Sequence, residues 1–192
     1  MQNANNKEKV EITFARENDT VIIPSKRDED GGFDIYANFK EDYMVIPPHE
    51  VKMIPTGLAS AFSPDYRIVL KERGSTGSKG MAVRAGIIDS GFRGYWFVAI
   101  NNTTNRPIVI SKDEHPDLAK IYDAIYPCAY DSVIYPFSKI AYQTLVIYPY
   151  SKAICQALIE ENPKTIVTTT SYDKLKEINS ERGTSQLGQS GK

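Results

Sequence analysis

The sequence predicts an all-β fold of the sandwich or jelly-roll kind. Short runs rich in Val, Ile, Tyr and Thr recur along the chain, and turn residues separate them at close spacing. Helical periodicity is confined to one segment. Pro47-Pro48, Ser63-Pro64-Asp65 and the polar run Asn101 to Pro107 supply the punctuation, since these residues favour turns and loops. Many short strands at this spacing suit a sandwich, in which each strand buries one face.

Taken in order, strands are expected at 10–14, 21–23, 33–36, 43–46, 51–54, 66–70, 82–88, 95–100 and 108–110, all β-branched or aromatic in content. Within 112–127, Leu118, Ile121, Tyr122 and Ile125 fall at helical spacing behind Asp113, Glu114 and Asp117, which predicts a short amphipathic helix. A near-repeat then aligns Val133 to Leu145 with Val146 to Leu158, read as two similar strands. Ile166-Val167-Thr168 is a last expected strand. Beyond Ser180 the Gly-, Ser- and Gln-rich tail cannot bury enough apolar surface to order itself, so it needs a ligand or a neighbour.

With 192 residues, 41% of them hydrophobic, the chain can bury one good core, and a single domain is expected. The 23 basic residues are balanced by 24 acidic ones, which argues against nucleic acid or an anionic membrane as partner. A phosphate ligand must therefore meet a local cluster. Cys128 and Cys155 are too few and too far apart for a disulfide framework or a zinc site. The polar start and the lack of long apolar runs lead to the expectation of a soluble, cytoplasmic protein.

The stretch from Arg73 to Asn102 carries the chemistry. Gly74, Gly77 and Gly80 allow backbone bending, Ser75 and Ser78 offer hydroxyls, and Arg73 and Lys79 are cations, a set suited to polyphosphate. Asp89 follows in Ile87-Ile88-Asp89-Ser90-Gly91-Phe92, where an apolar run breaks into a turn. A carboxylate there, expected beside the phosphate loop, is a candidate general base.

Five segments in order, from about Gly31 to the C-terminus, resemble the trimeric deoxyuridine triphosphatase family. Ala85-Gly86-Ile87-Ile88-Asp89-Ser90-Gly91-Phe92-Arg93-Gly94 is similar to its third motif, and Gly31-Gly32-Phe33-Asp34-Ile35-Tyr36-Ala37 to its first. Arg73-Gly74-Ser75-Thr76 resembles the second, Ile154-Cys155-Gln156 the fourth, and Arg182 to Gly191 the fifth. The repeat leaves Gln143 as a rival to Gln156, which is preferred for its Ile-Cys-Gln setting and its distance from the tail. The insertion is then about 111–145, inside a β domain of 1–170 that is followed by a flexible arm at 171–192.

The resemblance implies a jelly-roll-like β subunit, a homotrimer with sites shared between chains, and Mg²⁺-dependent hydrolysis of dUTP to dUMP and pyrophosphate. On that reading Asp89 takes a proton from the attacking water, while Phe92 lies under the deoxyribose where the family usually has Tyr. Backbone groups of 85–97, Gly86 among them, read uracil. Arg73, Ser75 and Gln156 contact phosphate oxygens, and Asp34 holds a water on Mg²⁺. Arg182, Leu187 and Ser190 belong to the closing tail. Gly74 stands where the family has Ser after Arg, and Leu187 replaces the lid aromatic, for which Trp96 or Phe97 is the expected substitute. Two rivals are a dCTP deaminase-like enzyme, disfavoured because Tyr95 to Asn101 holds no carboxylate, and a regulatory module gripping a partner protein through the insertion.

Overall fold

A computed structural model describes residues 9–126 and 145–180. Two compact units are present, Met1–Asn162 and Pro163–Lys192, so the division falls ahead of the expected 170/171 boundary. Among the described residues no helix is long and apolar enough to cross a membrane.

The described residues of the first unit are β apart from two short helices. Strand β1 (Ile12–Arg16) is followed by β2 (Phe33–Ile35), β3 (Tyr43–Ile46), β4 (Val51–Pro55), β5 (Leu58–Phe62) and β6 (Tyr66–Lys71). Helix α1 (Gly74–Gly77) then leads to β7 (Met81–Arg84), β8 (Ile87–Ile88), β9 (Phe97–Asn102) and β10 (Ile108–Ser111). Helix α2 (Leu118–Ile125) precedes β11 (Val146–Pro149) and β12 (Cys155–Glu161). The strands form sheets ordered β2-β12-β6-β8, β4-β9-β7, β11-β10-β3 and β1-β5. Trp96, Ile35, Ile46, Ile54, Leu58, Ile68 and Ile100 are buried together as the core between them.

Three departures from the expected strands have local causes. Val21–Ile23 forms no strand: Val21 is buried while Ile22 and Ile23 face solvent, and Pro24 behind them has no N–H to pair. Strand β5 escaped prediction because Leu-Ala-Ser-Ala-Phe is weak in β-branched residues, and its pairing with β1 (Phe14 opposite Ser60) supplies the order instead. The run 82–88 was expected as one strand and is two. Ala85 takes φ 47°, and a Cβ on Gly86 would lie 2.6 Å from the Leu70 carbonyl oxygen. The chain turns at this corner and passes from the β4-β9-β7 sheet into the β2-β12-β6-β8 sheet.

The expected helix forms as α2, its first turn held by the Asp117 carboxylate, which accepts from the Ala119 and Lys120 N–H groups at 3.1 Å each. Ile121 is buried with Val109 and Leu145 in a second, smaller cluster on the β10 sheet. Strands β10 and β11 run parallel, which requires a long crossover, and the insertion provides it. The first copy of the repeat lies almost wholly outside the described residues.

In the second unit the expected strand at Ile166 to Thr168 does not form. Ile166 is 93% and Val167 88% exposed, since neither has a strand partner among the described residues. A one-turn helix, α3 (Tyr172–Lys176), starts at Ser171, whose hydroxyl accepts from the Lys174 N–H at 3.3 Å.

Candidate active site

Strand β12 lies between β2 and β6, and its register brings three chemistries to one sheet end. Gln156 stands opposite Asp34 on one side and Lys71 on the other, and β6 runs on through Glu72 to Arg73 and α1. The Arg73 N–H donates to the Thr76 hydroxyl at 2.9 Å, and the Thr76 N–H returns a bond to the Arg73 carbonyl at 3.0 Å. Glu72 fixes the loop from outside, its carboxylate accepting from the Val83 N–H at 2.6 Å. Gln156 Nε2 donates to the Glu72 carbonyl at 2.8 Å, so one of its two hydrogens braces the loop rather than facing a ligand.

Asp34, Arg73, Ser75 and Gln156 share a cleft of about 470 Å³ with Gly31, Gly32 and Gly74. Ser25, Arg27 and Asp30 also line it, and sequence reasoning missed all three because the loop before the first motif has no recognisable pattern. Two acid–base pairs dominate. Arg73 Nε meets Asp34 Oδ1 at 2.8 Å, and Arg73 Nη1 reaches the Ser75 hydroxyl at a long 3.4 Å. Arg27 grips Asp30 with two prongs, at 3.0 and 2.8 Å, and these bonds hold the Asp30 carboxyl down at about 2. A Cβ on Gly74 would meet nothing within 4 Å, so the fold has room for the serine common in the resembling family. Beneath the cleft, burial pushes the Cys155 thiol well above its ordinary pKa, with the Asp34 and Glu72 carboxylates adding and Arg73 opposing. It is a packed thiol, not a nucleophile.

Asp89 and Phe92 are elsewhere. Ile88 pairs with Ile68, so Asp89 continues toward Arg67, whereas Arg73 lies past the far end of β6. Six residues of strand rise put on the order of 20 Å between the acid and the loop expected beside it. The Asp89 carbonyl accepts from the Phe92 N–H at 3.0 Å, and Arg93 Nη1 ties the turn by donating to the Ser90, Phe92 and Ser60 carbonyls at 2.6, 2.9 and 3.3 Å. The Phe92 ring lies against Gly94, where a Cβ would come within 2.6 Å of it, and stays 44% exposed. Trp96 cannot stand in for a lid aromatic: it is fully buried, its ring 5.7 Å from that of Phe14. Phe97 remains 47% exposed. Gly86 has a structural duty as well, for its carbonyl accepts from the Leu70 N–H at 2.6 Å. Arg182, Leu187, Ser190 and the rival Gln143 lie outside the described residues.

The family model described as dUTPase matches residues 18–121. The Pol polyprotein of Ovine maedi visna related virus is 35% identical over 100 residues, which is 52% of this chain and 9% of the polyprotein. The chain thus spans only about a tenth of the first curated relatives it matches. The deoxyuridine 5′-triphosphate nucleotidohydrolase of Thermoanaerobacter sp. is 27% identical over 116 residues, 56% of this chain and 74% of that enzyme. Among solved structures, the dUTPase of Staphylococcus bacteriophage 80alpha with dUPNHPP superposes with a TM-score of 0.64 at 19% identity, covering 95% of this chain and 99% of that one. The native EIAV dUTPase gives 0.54, also at 19%, over 85% and 98%. The match over 18–121 takes in Asp34, the Arg73 loop and the Asp89 turn, and with it the chain belongs to the dUTPase family.

Proposed function

We propose that the chain hydrolyses dUTP to dUMP and pyrophosphate, in a homotrimer where the cleft of one copy works with the Asp89 turn of another. The separation of Asp89 from Arg73 along β6 carries this reading. One substrate cannot touch both ends of that strand within a single chain. Family membership and the dUTPase relatives support the substrate, and the distance along β6 is what calls for a second copy.

In this reading Arg73 and Ser75 take phosphate oxygens, with the remaining amide hydrogen of Gln156 beside them. Phe92 packs under the deoxyribose, and Phe97 offers the exposed aromatic surface nearby in sequence that Leu187 lacks. Asp89 accepts the proton of a water attacking the α-phosphate in line. Arg182, Leu187 and Ser190, in the arm, close over the polyphosphate.

The donor set suits Mg²⁺ that arrives with the substrate. Asp34 gives the cleft a carboxylate, and among the described residues no three His, Cys, Asp or Glu gather into a cage. Asp34 would hold a water of an ion chelated mainly by phosphates, and that ion would neutralise their charge. A phage phi11 dUTPase structure is described as coordinating a structural Mg(II) ion.

Pyrophosphate release is to be measured from dUTP, dCTP, dTTP and UTP with and without Mg²⁺. Asp89→Asn is expected to lose activity on dUTP by about 10²- to 10⁴-fold, the usual worth of a positioned base. Asp89→Asn and Arg73→Ala chains, each inactive alone, should regain part of the activity when unfolded and refolded together. Absence of any rescue would sink the shared site, and undiminished activity of Asp89→Asn would sink the mechanism.

A further inference from the structure

We propose that Arg27, in the loop ahead of β2, is a second phosphate-gripping cation of the cleft and takes the pyrophosphate portion of the nucleotide. This rests on the dUTP reading above, and it concerns a residue that lies ahead of the first matched motif.

Two loops line the cleft of about 470 Å³. One brings Arg73 and Ser75. The other, 25–32, brings Ser25 and Arg27, so each loop presents one guanidinium and one hydroxyl two positions apart. Arg27 and Arg73 are the cations of the lining, and they stand at different depths: the Arg27 side chain is 84% exposed and that of Arg73 32%. Two cations at two depths suit a ligand that carries charge on successive groups, as a polyphosphate does. In the dUTP reading the α-phosphate faces the Asp89 turn of a second copy, which leaves the pyrophosphate portion for the cleft.

The Arg27 head is already oriented. Its Nε and Nη2 groups donate to the Asp30 carboxylate at 3.0 and 2.8 Å, and the Arg27 backbone N–H donates to the same carboxylate at 3.1 Å. The Asp30 N–H returns a bond to the Arg27 carbonyl at 3.1 Å, and Lys26 Nζ donates to the Arg27 and Asp30 carbonyls at 3.3 and 3.1 Å. One closed turn thus fixes backbone and side chain together. A Cβ on Gly32 would come within 2.9 Å of the Ala157 carbonyl oxygen, so the end of the loop lies flush against β12, the strand that carries Gln156. Rotamer freedom that an exposed arginine ordinarily loses on binding is largely lost before the ligand arrives. Of a guanidinium's five N–H donors Asp30 occupies two, which leaves three for phosphate oxygens. A phosphate that draws Arg27 off Asp30 gains the other two, in the two-pronged match that guanidinium offers.

The test compares Arg27→Ala and Arg27→Lys with wild type by calorimetric binding of Mg²⁺-pyrophosphate and of dUMP, beside steady-state turnover of dUTP. The oxygens that Arg27 meets are charged in ground state and transition state alike, so Arg27→Ala should raise KM about tenfold with kcat held within about twofold. Pyrophosphate affinity should fall by a similar factor, and dUMP affinity should not change. Arg27→Lys keeps the charge without the fork and should recover part of the pyrophosphate affinity. Unchanged KM and pyrophosphate binding in Arg27→Ala would make Arg27 a surface charge only and overturn the inference. Equal losses for dUMP and pyrophosphate, or an Arg27→Lys as weak as Arg27→Ala, would overturn it too, since either means that the turn collapsed and no phosphate contact was removed. Wild-type protein that binds pyrophosphate but leaves dUTP intact refutes the dUTP reading instead, and the pyrophosphate comparison still decides Arg27.

Discussion

Gly74 and Gly86 are both glycines of the signature stretch, yet their surroundings differ completely. A methyl group on Gly86 would strike the Leu70 backbone oxygen at 2.6 Å, whereas one on Gly74 would meet open space. Gly86→Ala is therefore expected to destabilise by about 2 kcal/mol, the usual cost of overpacking against backbone that cannot move aside. Gly74→Ser should stay within about 0.5 kcal/mol of wild type. Denaturant melts of the two variants check the contrast. The identity of these residues was legible from the motif, but the reason for each was not, because it depends on what β6 places beside them.

At the scale of elements, strand content was readable at most β-branched clusters, though not at Val21 to Ile23, which is followed by a proline. It failed where pairing rather than composition makes the strand, as in β5, and where composition finds no partner, as at Ile166 and Val167. The run 82–88 was misread for a different reason: residue type does not announce a left-handed alanine. The insertion's helix was legible from its period and its Asp117 cap. It belongs to its own small cluster around Ile121, Val109 and Leu145, apart from the cleft residues. Ile121→Ala should cost about 3 kcal/mol in a chemical melt, within the range for emptying a buried isoleucine site. The folded fraction should keep its dUTP turnover, and a selective loss of turnover would tie the insertion to catalysis.

For the whole molecule, the division after Asn162 separates a β unit with its own core from a second unit whose described residues, 163–180, are all exposed. A chain ending at Asn162 is expected to melt cooperatively near the full-length temperature, with dUTP turnover lower by at least about a hundredfold. Loss of cooperative melting would mean that the arm is part of the fold. The separation of Asp89 from the loop could not be seen in the sequence, where sixteen positions suggest neighbours. Antiparallel pairing of β6 with β8 folds the chain back and sends the two apart.

The paired charges of the cleft also govern how a ligand approaches. Arg73 is matched by Asp34 and Arg27 by Asp30, so these four groups cancel at a distance and send little field into solution. A polyanion is then not drawn in from afar, and its cations become available only at contact, as each pair is prised open. The association rate of dUTP should stay nearly flat between low and physiological salt in stopped-flow measurements, unlike the steep fall of an electrostatically steered encounter.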